Sequence, residues 1–302
     1  MNRTNIPSLI HKQLQQAEPG SQFTASLPRV QSSSGQRYFV KIGSIAAKEQ
    51  YVGEEMSLRA MHEATPGLVP RMIASGVINK SGDEATDGVG RPYFISEYKD
   101  MNSLTDAAAA VLGRRLATEM HRYKSDKGFG FAVPTYCGAT RMENGWYETW
   151  EECFGAKIGE LLRELERRGY YGGLCRKGKE IRERVIPALL GNLDIDPVLL
   201  HGDLWSGNTG VDTSTQEPVI FDPSSYYGHC EADLAIARMF GGIPMSFFKT
   251  YHEHKPKTEP VDQYDLRGEL YELFHYLNHT VLFGGTYAGS AERKMDNLLG
   301  RL

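Results

Sequence analysis

Polar residues at catalytic spacing follow an apolar run in the stretch LLHGDLWSGN, residues 199–208. His201, Asp203 and Asn208 fit the pattern H-x-D-x-x-x-x-N, which is the pattern of a kinase catalytic loop. In such a loop the aspartate accepts the proton of the attacking hydroxyl and the asparagine binds magnesium. The alternative is a strand that ends in a polar loop without catalytic work, because so short a pattern also arises by chance.

A second carboxylate follows an apolar run that predicts a buried strand. Residues 219–221 are Val, Ile and Phe, and Asp222 comes directly after them. A carboxylate at that strand end is able to reach the same metal ion as Asn208, and oxygen ligands suit Mg²⁺. Phosphoryl transfer needs a cation across the phosphates and a base beside the attacking oxygen. We therefore expect Asn208 and Asp222 to hold Mg²⁺, with Asp203 as the base.

A strand lysine and a helix glutamate supply the next pair of candidates. The alternation in RYFVKI, residues 37–42, puts Lys41 on the face opposite Tyr38 and Val40. A lone strand lysine is usually solvated, but the helix predicted over 45–63 carries Glu54 on its apolar face. A carboxylate on an inward face needs a partner. Helical spacing therefore favours an ion pair of Lys41 with Glu54 rather than with the neighbouring Glu55.

The loop before Lys41 is expected to cover the phosphates of a nucleotide. The candidate is GSQFTAS, residues 20–26, which begins with Gly20 and Ser21. It holds one glycine and is not a G-x-G-x-x-G loop. Small and hydroxyl residues would still present backbone N–H groups to phosphate.

The elements that must position these residues divide the chain into a strand-rich first third and a helix-rich remainder. Ser103 is the expected N-cap of the first helix of the remainder, and NTGVDTSTQEPVIFDP predicts a hairpin. Predicted strands lie in 21–42, in RMIASGVIN and in RPYFISEY, the last two around a polar loop over 80–90. Predicted helices lie over 45–63, 104–123, 150–168 and 177–191, and through most of the chain from 231.

Composition excludes several classes of protein. The 302 residues carry a net charge of −4, which gives no general attraction to nucleic acid or anionic membrane. No apolar run is long enough to span a bilayer, and the start of the chain lacks the apolar stretch of a signal peptide. The four cysteines are scattered, which fits a reducing compartment. We expect a cytoplasmic protein.

The chain resembles the fructosamine-3-kinase (ketosamine-3-kinase) family, which is related to aminoglycoside and choline kinases. The strings that carry the resemblance are LLHGDLWSGN, FDPSSYYGHCEADLAIARMFGG, SFFKTYH and ELYELFHYLNH. The resemblance covers nearly the whole chain and is strongest from about 198 to 280. It implies an α+β, protein kinase-like bilobal fold. The expected parts are a small strand-rich N-terminal lobe over 1–97, a hinge over 98–103 and a larger helical C-terminal lobe over 104–302.

The same resemblance implies an ATP- and Mg²⁺-dependent enzyme that phosphorylates the 3-hydroxyl of ketosamines, free or on glycated proteins, as a repair of glycation. It gives Asp203, Asn208, Asp222 and the Lys41–Glu54 pair the roles described above. Glu97 and Tyr98 fall where the hinge of such a kinase meets adenine. Some relatives carry a cysteine in the phosphate loop that links two chains. This chain has none there, and we expect a monomer or a weak homodimer.

The substrate side leaves more alternatives open. Trp205 either packs in the core or stacks on the sugar, and Asp233 either caps a helix or anchors the catalytic loop. His229 and Glu231 are expected to attract the cationic amine of the substrate. Other functions compatible with these residues are a related kinase for an aminoglycoside, choline or another sugar, or a pseudokinase that only binds. A phosphatase or nuclease would leave Lys41 without a task.

Overall fold

The computed structural model describes residues 6–79 and 88–302. Most of the loop predicted over 80–90 lies outside the described residues, as do the first five residues of the chain.

The first third of the chain forms a five-stranded antiparallel sheet. Its strands are β1 (Phe23–Ser26), β2 (Arg29–Ser32), β3 (Arg37–Ile42), β4 (Met72–Val77) and β5 (Pro92–Glu97), in the spatial order β1-β2-β3-β5-β4. The alternation predicted for β3 is present, because Tyr38 and Val40 are buried in an apolar cluster on one face of the sheet. Lys41 points to the other face, where the ring of Phe94 lies 5.4 Å from its amine.

A short N-terminal helix, α1 (Ser8–Ala17), covers the Tyr38 face of this sheet. Ile10 and Leu14, one helical turn apart, are fully buried there. This helix was not predicted from the sequence, although Ile10 and Leu14 stand at helical spacing.

The helix that follows β3 packs against both the five-stranded sheet and the helical region of the chain. After a 3₁₀ turn at Ile45–Ala47 it runs as α2 (Lys48–Ala64). Its Leu58 and Met61 are part of the large apolar core of the helical region. Gly53 lies so close to that region that a Cβ atom there would stand 2.5 Å from the carbonyl oxygen of Pro134. The backbone N–H of Ser225 donates to the hydroxyl of Ser57 at 3.2 Å.

The rest of the described chain is mainly helical. Its α-helices are α3 (Asp106–Thr118), α4 (Trp150–Arg167), α5 (Gly172–Glu180), α6 (Ile186–Leu190), α7 (Glu231–Met239), α8 (Met245–His254), α9 (Tyr264–Phe283) and α10 (Thr286–Gly300). Helix α3 packs on α8, and α9 packs on α4, α7 and α10. Within the described ranges, no helix combines the length and the apolar character needed to cross a membrane.

Short strands between these helices frame the stretch from 201 to 208. They are β6 (Met101–Asn102), β7 (Thr135–Cys137), β8 (Thr140–Met142), β9 (Val198–Leu200), β10 (Thr209–Asp212), β11 (Pro218–Ile220) and β12 (Tyr226–Gly228). Strand β10 pairs with β6 and β11, β9 pairs with β12, and β7 pairs with β8. The predicted hairpin at 208–223 is confirmed as β10 and β11.

The start of α3 differs from the prediction. Thr105, not Ser103, is the N-cap, since its hydroxyl accepts a hydrogen bond from the backbone N–H of Ala108 at 3.2 Å. The helix also ends earlier, at Thr118. Strand β6 falls inside the stretch 98–103, and the division of the chain at that hinge stays a prediction.

Candidate active site

The loop that carries Asp203 is held in place by a buried carboxylate on α7. The backbone N–H groups of His201 and Gly202 donate to the two oxygens of Asp233, at 2.7 and 2.8 Å. Of the two roles expected for Asp233, the structure therefore shows the loop anchor. Gly202 has a φ of +81°, and a Cβ atom there would lie 2.0 Å from the carbonyl oxygen of Ser224, so no other residue fits this turn.

Asp203 lies within hydrogen-bond reach of Asn208. The side-chain N–H₂ of Asn208 donates to the carboxylate of Asp203 at 3.2 Å and to its backbone carbonyl at 3.0 Å. Burial raises the pKa of Asp203 to about 6, although the hydrogen bond from Asn208 lowers it. A carboxylate with such a pKa is ionised at neutral pH and is more basic than an ordinary aspartate.

Two oxygen donors next to Asp203 fit a hard divalent cation. Asn208 uses its Nδ2 for Asp203, and its Oδ1, which accepts no hydrogen bond from any described residue, is left for a cation. Asp222 is exposed to the same cleft, and its backbone has a φ of +53°, which is uncommon for a residue with a side chain. An amide oxygen and a carboxylate are ligands that Mg²⁺ accepts, so the donor set fits that ion.

The expected ion pair between β3 and α2 is present. The amine of Lys41 lies 2.9 Å from Oε2 of Glu54, and Glu54 is buried. Burial raises the pKa of Glu54, while the charge of Lys41 lowers it. The neighbouring Glu55 instead pairs with Arg59 at 2.9 Å on the outer side of the helix. The helical phase predicted from the sequence is therefore right.

These side chains converge on one cleft of about 220 Å³. Six of the residues predicted from the sequence line it: Lys41, Glu54, Asp203, Trp205, Asn208 and Asp222. Trp205 is 38% exposed and touches Phe240 edge-on, at 6.1 Å between ring centroids. It is therefore not a core residue, and a ligand in the cleft has access to its ring.

Four other residues of the cleft were not predicted from the sequence, namely Gln50, Tyr136, Gly138 and Pro223. Tyr136 and Gly138 come from the hairpin of β7 and β8. A signal for it was present, because TYC and TRM flank the dipeptide Gly138–Ala139, and glycine is favoured at the first position of a two-residue hairpin turn.

The prediction that Gly20 and Ser21 cover the phosphates is wrong in this structure. Both residues precede β1, whose first residue, Phe23, pairs with Ser32 at the end of the hairpin that lies away from Lys41. The hydroxyl of Ser21 donates to Glu18 at 2.7 Å. The turn between β1 and β2 at residues 27–28 lies near Lys41 instead, since the N–H of Val40 donates to the carbonyl of Pro28 at 2.7 Å.

The prediction that His229 and Glu231 attract a cationic amine is also wrong. Both side chains are buried and neither lines the cleft. Glu231 is neutralised by the buried Arg267, whose Nε lies 2.9 Å from its carboxylate. His229 is held between the hydroxyls of Tyr271 and Thr258, at 2.7 and 2.8 Å.

The backbone N–H groups of the predicted adenine contacts are in use within the sheet region. The N–H of Glu97 donates to the carbonyl of Arg71 at 3.0 Å, and the N–H of Tyr98 donates to Arg37 at 3.2 Å. Neither residue lines the 220 Å³ cleft. A contact of Glu97 or Tyr98 with adenine stays a prediction.

Comparison with known proteins decides the family. The family model described as fructosamine kinase matches residues 10–301 of this chain. The chain belongs to the fructosamine kinase family. This fructosamine kinase family member is 39% identical, over 269 residues, to protein-ribulosamine 3-kinase of Arabidopsis thaliana, which is described as chloroplastic; the match covers 88% of this chain and 77% of the relative. It is 36% identical, over 287 residues, to ketosamine-3-kinase of Mus musculus, with 87% and 88% covered.

Solved structures of more distant proteins show the fold of this family member. The aminoglycoside phosphotransferase APH(4)-Ia matches with a TM-score of 0.55 at 15% identity, covering 96% of this chain and 97% of that chain. The choline kinase LicA from Streptococcus pneumoniae matches with a TM-score of 0.57 at 11% identity, covering 97% and 98%. The predicted α+β, protein kinase-like bilobal fold is confirmed.

Proposed function

We propose that this protein is an ATP-dependent kinase that phosphorylates the 3-hydroxyl of ketosamines, both free fructosamine or ribulosamine and the same groups on glycated proteins. The activity would serve the repair of glycation. One observation carries the proposal: in a chain of the fructosamine kinase family, Asp203, Asn208, Asp222 and the Lys41–Glu54 pair line one cleft.

Asp203 is the base in this proposal. Its carboxylate would orient the sugar hydroxyl and accept its proton as the oxygen attacks the terminal phosphate. The hydrogen bond from Asn208 fixes the carboxylate, and the raised pKa keeps it basic enough to take that proton.

The negative charge of the nucleotide phosphates would be balanced by a magnesium ion and by Lys41. Asn208 and Asp222 would hold Mg²⁺, which supplies neutralisation of the phosphates when it is bound. From the sheet, Lys41 would donate to the phosphate oxygens. Glu54 keeps the Lys41 amine at a fixed place, since the ion pair at 2.9 Å ties the strand to the helix.

Specificity for a ketosamine requires that the sugar be held in one register. The ring of Trp205 lies two residues from Asp203 and borders the same cleft, so it is the proposed surface for the sugar. Binding energy from the sugar and its amine-linked group would then place one hydroxyl beside the base. A choline or aminoglycoside substrate is supported only by likeness of fold.

The test is ADP release by the purified protein with a panel of acceptors. The panel holds a small fructosamine, a small ribulosamine, a ribose-glycated protein, the free sugars, choline and an aminoglycoside. We expect a much higher kcat/KM for ketosamines than for the free sugars, and phosphate on the third carbon by NMR. Preferred turnover of choline, an aminoglycoside or free sugar would refute the substrate assignment while leaving a kinase.

A further inference from the structure

A thiol and an imidazole face the catalytic carboxylate. Sγ of Cys137, one ring nitrogen of His275 and one carboxylate oxygen of Asp203 lie within 4.8 Å of one another. Cys137 ends β7, His275 lies in α9 and Asp203 follows β9, so three separate elements bring these atoms together. Nothing in the phosphoryl transfer described above uses Cys137 or His275.

His275 carries a polar atom without a partner. Its Nδ1 is buried and makes no hydrogen bond with any residue that the structure describes, and only 5% of the residue is exposed. Buried polar atoms nearly always have a partner, so this one calls for an explanation. Burial lowers the pKa of His275 to about 3, so its ring is neutral at physiological pH. A neutral imidazole is the form that ligates metals.

Two groups beside Cys137 would stabilise its thiolate once a metal ion replaces the proton, namely Lys157 and Asn278. Nδ2 of Asn278 donates to Sγ of Cys137 at 3.1 Å. Burial and the nearby Asp203 carboxylate raise the pKa of the Cys137 thiol, whereas the charge of Lys157 and the hydrogen bond from Asn278 lower it. A thiol of this kind is protonated in the free protein and loses its proton when it binds a metal.

We propose that Cys137, Asp203 and His275 bind one Zn²⁺ ion. Sulfur, nitrogen and oxygen in a set of three, with a fourth position left for water, is a ligand set typical of zinc and not of magnesium. Zinc–ligand bonds of about 2.0 to 2.3 Å place neighbouring ligand atoms roughly 3.5 Å apart. Atoms within 4.8 Å of one another therefore need shifts of about 1 Å or less to close on the ion. Asp203 also lines the cleft, which gives the ion a route from solvent.

Zinc in this site would stop phosphoryl transfer, because it takes the carboxylate that acts as the base. This second part rests on the proposed function, whereas the binding of zinc does not.

Binding is tested on the full-length protein without nucleotide, with Mg²⁺ in excess. Titration of Zn²⁺ against a chromophoric chelator should give one tight site per chain. Cys137→Ser and His275→Gln should each weaken it by at least the roughly 10- to 100-fold that even an outer-shell partner is worth. Cys153→Ser removes another buried thiol, and His279→Gln removes another imidazole of α9. These two controls should bind zinc as the unmodified protein does.

The unmodified protein gives an independent reading if the variants fail to fold. Co²⁺ in the site should show the near-ultraviolet charge-transfer absorption of a thiolate–metal bond. Absence of that absorption, or equal zinc affinity in Cys137→Ser and His275→Gln, would overturn the proposal. So would a zinc site that disappears in Asp222→Ala and yields to Mg²⁺, since that ion would lie at the magnesium position.

Inhibition is read in the ADP-release assay, with each variant scaled to its own rate without zinc. We expect Zn²⁺ to inhibit the unmodified protein. Inhibition of His275→Gln should need at least tenfold more Zn²⁺, which is the lower end of the loss expected for binding. If the protein binds zinc but phosphorylates no acceptor, the proposed function is wrong and the zinc site stands. If the protein is an active kinase without a zinc site, the zinc proposal is wrong and the proposed function stands.

Discussion

Asp203 performs its proposed role under two opposing influences. Burial raises its pKa and makes it a better base, and the hydrogen bond from Asn208 keeps it ionised and oriented. The sequence placed Asp203 and Asn208 in one site because the spacing of a catalytic loop is local and short, but it did not predict the hydrogen bond between them.

Replacing Asp203 by Asn should preserve the fold and nucleotide binding but remove turnover. The expected loss in kcat is roughly 10²- to 10⁴-fold, the usual contribution of a general base. Steady-state kinetics measures it, and ADP binding with a melting curve serves as the control. A variant with nearly normal kcat would show that another group accepts the proton.

Asp222→Ala should weaken the binding of Mg-ATP far more than that of metal-free ATP, because its exposed carboxylate is proposed to contact only the metal. Calorimetry with and without Mg²⁺ separates the two. If both titrations lose affinity equally, Asp222 supports the loop and not the ion.

Residue-scale prediction failed where a partner distant in sequence neutralises a charge. Glu231 looked available for a cationic amine, but Arg267, 36 residues later, covers it in the interior. Nothing near Glu231 in the sequence indicates that pairing.

At the scale of elements, helical phase decides which glutamate of α2 supports Lys41. Glu54→Gln should reduce kcat/KM more than Glu55→Gln, because only Glu54 meets the Lys41 amine. The two variants change the same group on adjacent residues, so each is the control for the other. A larger loss in Glu55→Gln would contradict the ion pair.

The contact between α2 and the helical region offers a second test. Gly53→Ala should destabilise the protein by about 1 to 3 kcal/mol, the usual cost of overpacking, since its Cβ would press on the Pro134 carbonyl. It should also lower kcat, because Glu54 is the next residue. Urea unfolding and kinetics measure the two effects.

Gly155→Ala in α4 is the matched control, since a Cβ atom there meets nothing within 4 Å. Alanine in a helix should stabilise it by roughly 0.5 to 1 kcal/mol. Destabilisation of equal size in both variants would argue against a specific contact at Gly53.

Prediction of elements worked where a pattern was long and regular. The strands of 21–42 and helices α2 and α4 were expected close to their observed bounds. Helix α1 and the hairpin of β7 and β8 were missed because each is short, although Ile10 and Leu14 have helical spacing and Gly138 marks the turn of the hairpin.

For the whole molecule, buried neutral histidines link stability to pH. Burial lowers the pKa of His229 to about 4, and the charges of Arg267 and Lys255 also lower it, whereas Glu231 raises it. The folded state resists protonation of His229 and the unfolded state does not. The contribution of neutral His229 to the free energy of unfolding is therefore complete above about pH 6.5 and is lost as the pH falls toward 4. For His229 the free energy of unfolding falls by about 3 kcal/mol over this range. His121, also buried, has its pKa lowered in the same sense.

Urea unfolding at about pH 7 and about pH 4.5 measures this loss. His229→Gln should be less stable at the higher pH but should lose less on acidification than the unmodified protein. His254→Gln, at an exposed position, should keep the full pH dependence. Equal pH dependence in all three proteins would mean that His229 is not the group responsible.

The division of the molecule into cores lay beyond prediction from the sequence. A pattern identifies which face of α2 is apolar, but not that Leu58 and Met61 join the core of the helical region while β3 shares a smaller core with α1. That assignment depends on tertiary packing.

This arrangement of α2 has a consequence for the Lys41–Glu54 ion pair. A helix rooted in the larger core cannot swing outward to separate Glu54 from Lys41 without opening that core. The Lys41–Glu54 ion pair is therefore assembled as soon as the chain has folded, and separating it would cost part of the free energy that stabilises the core.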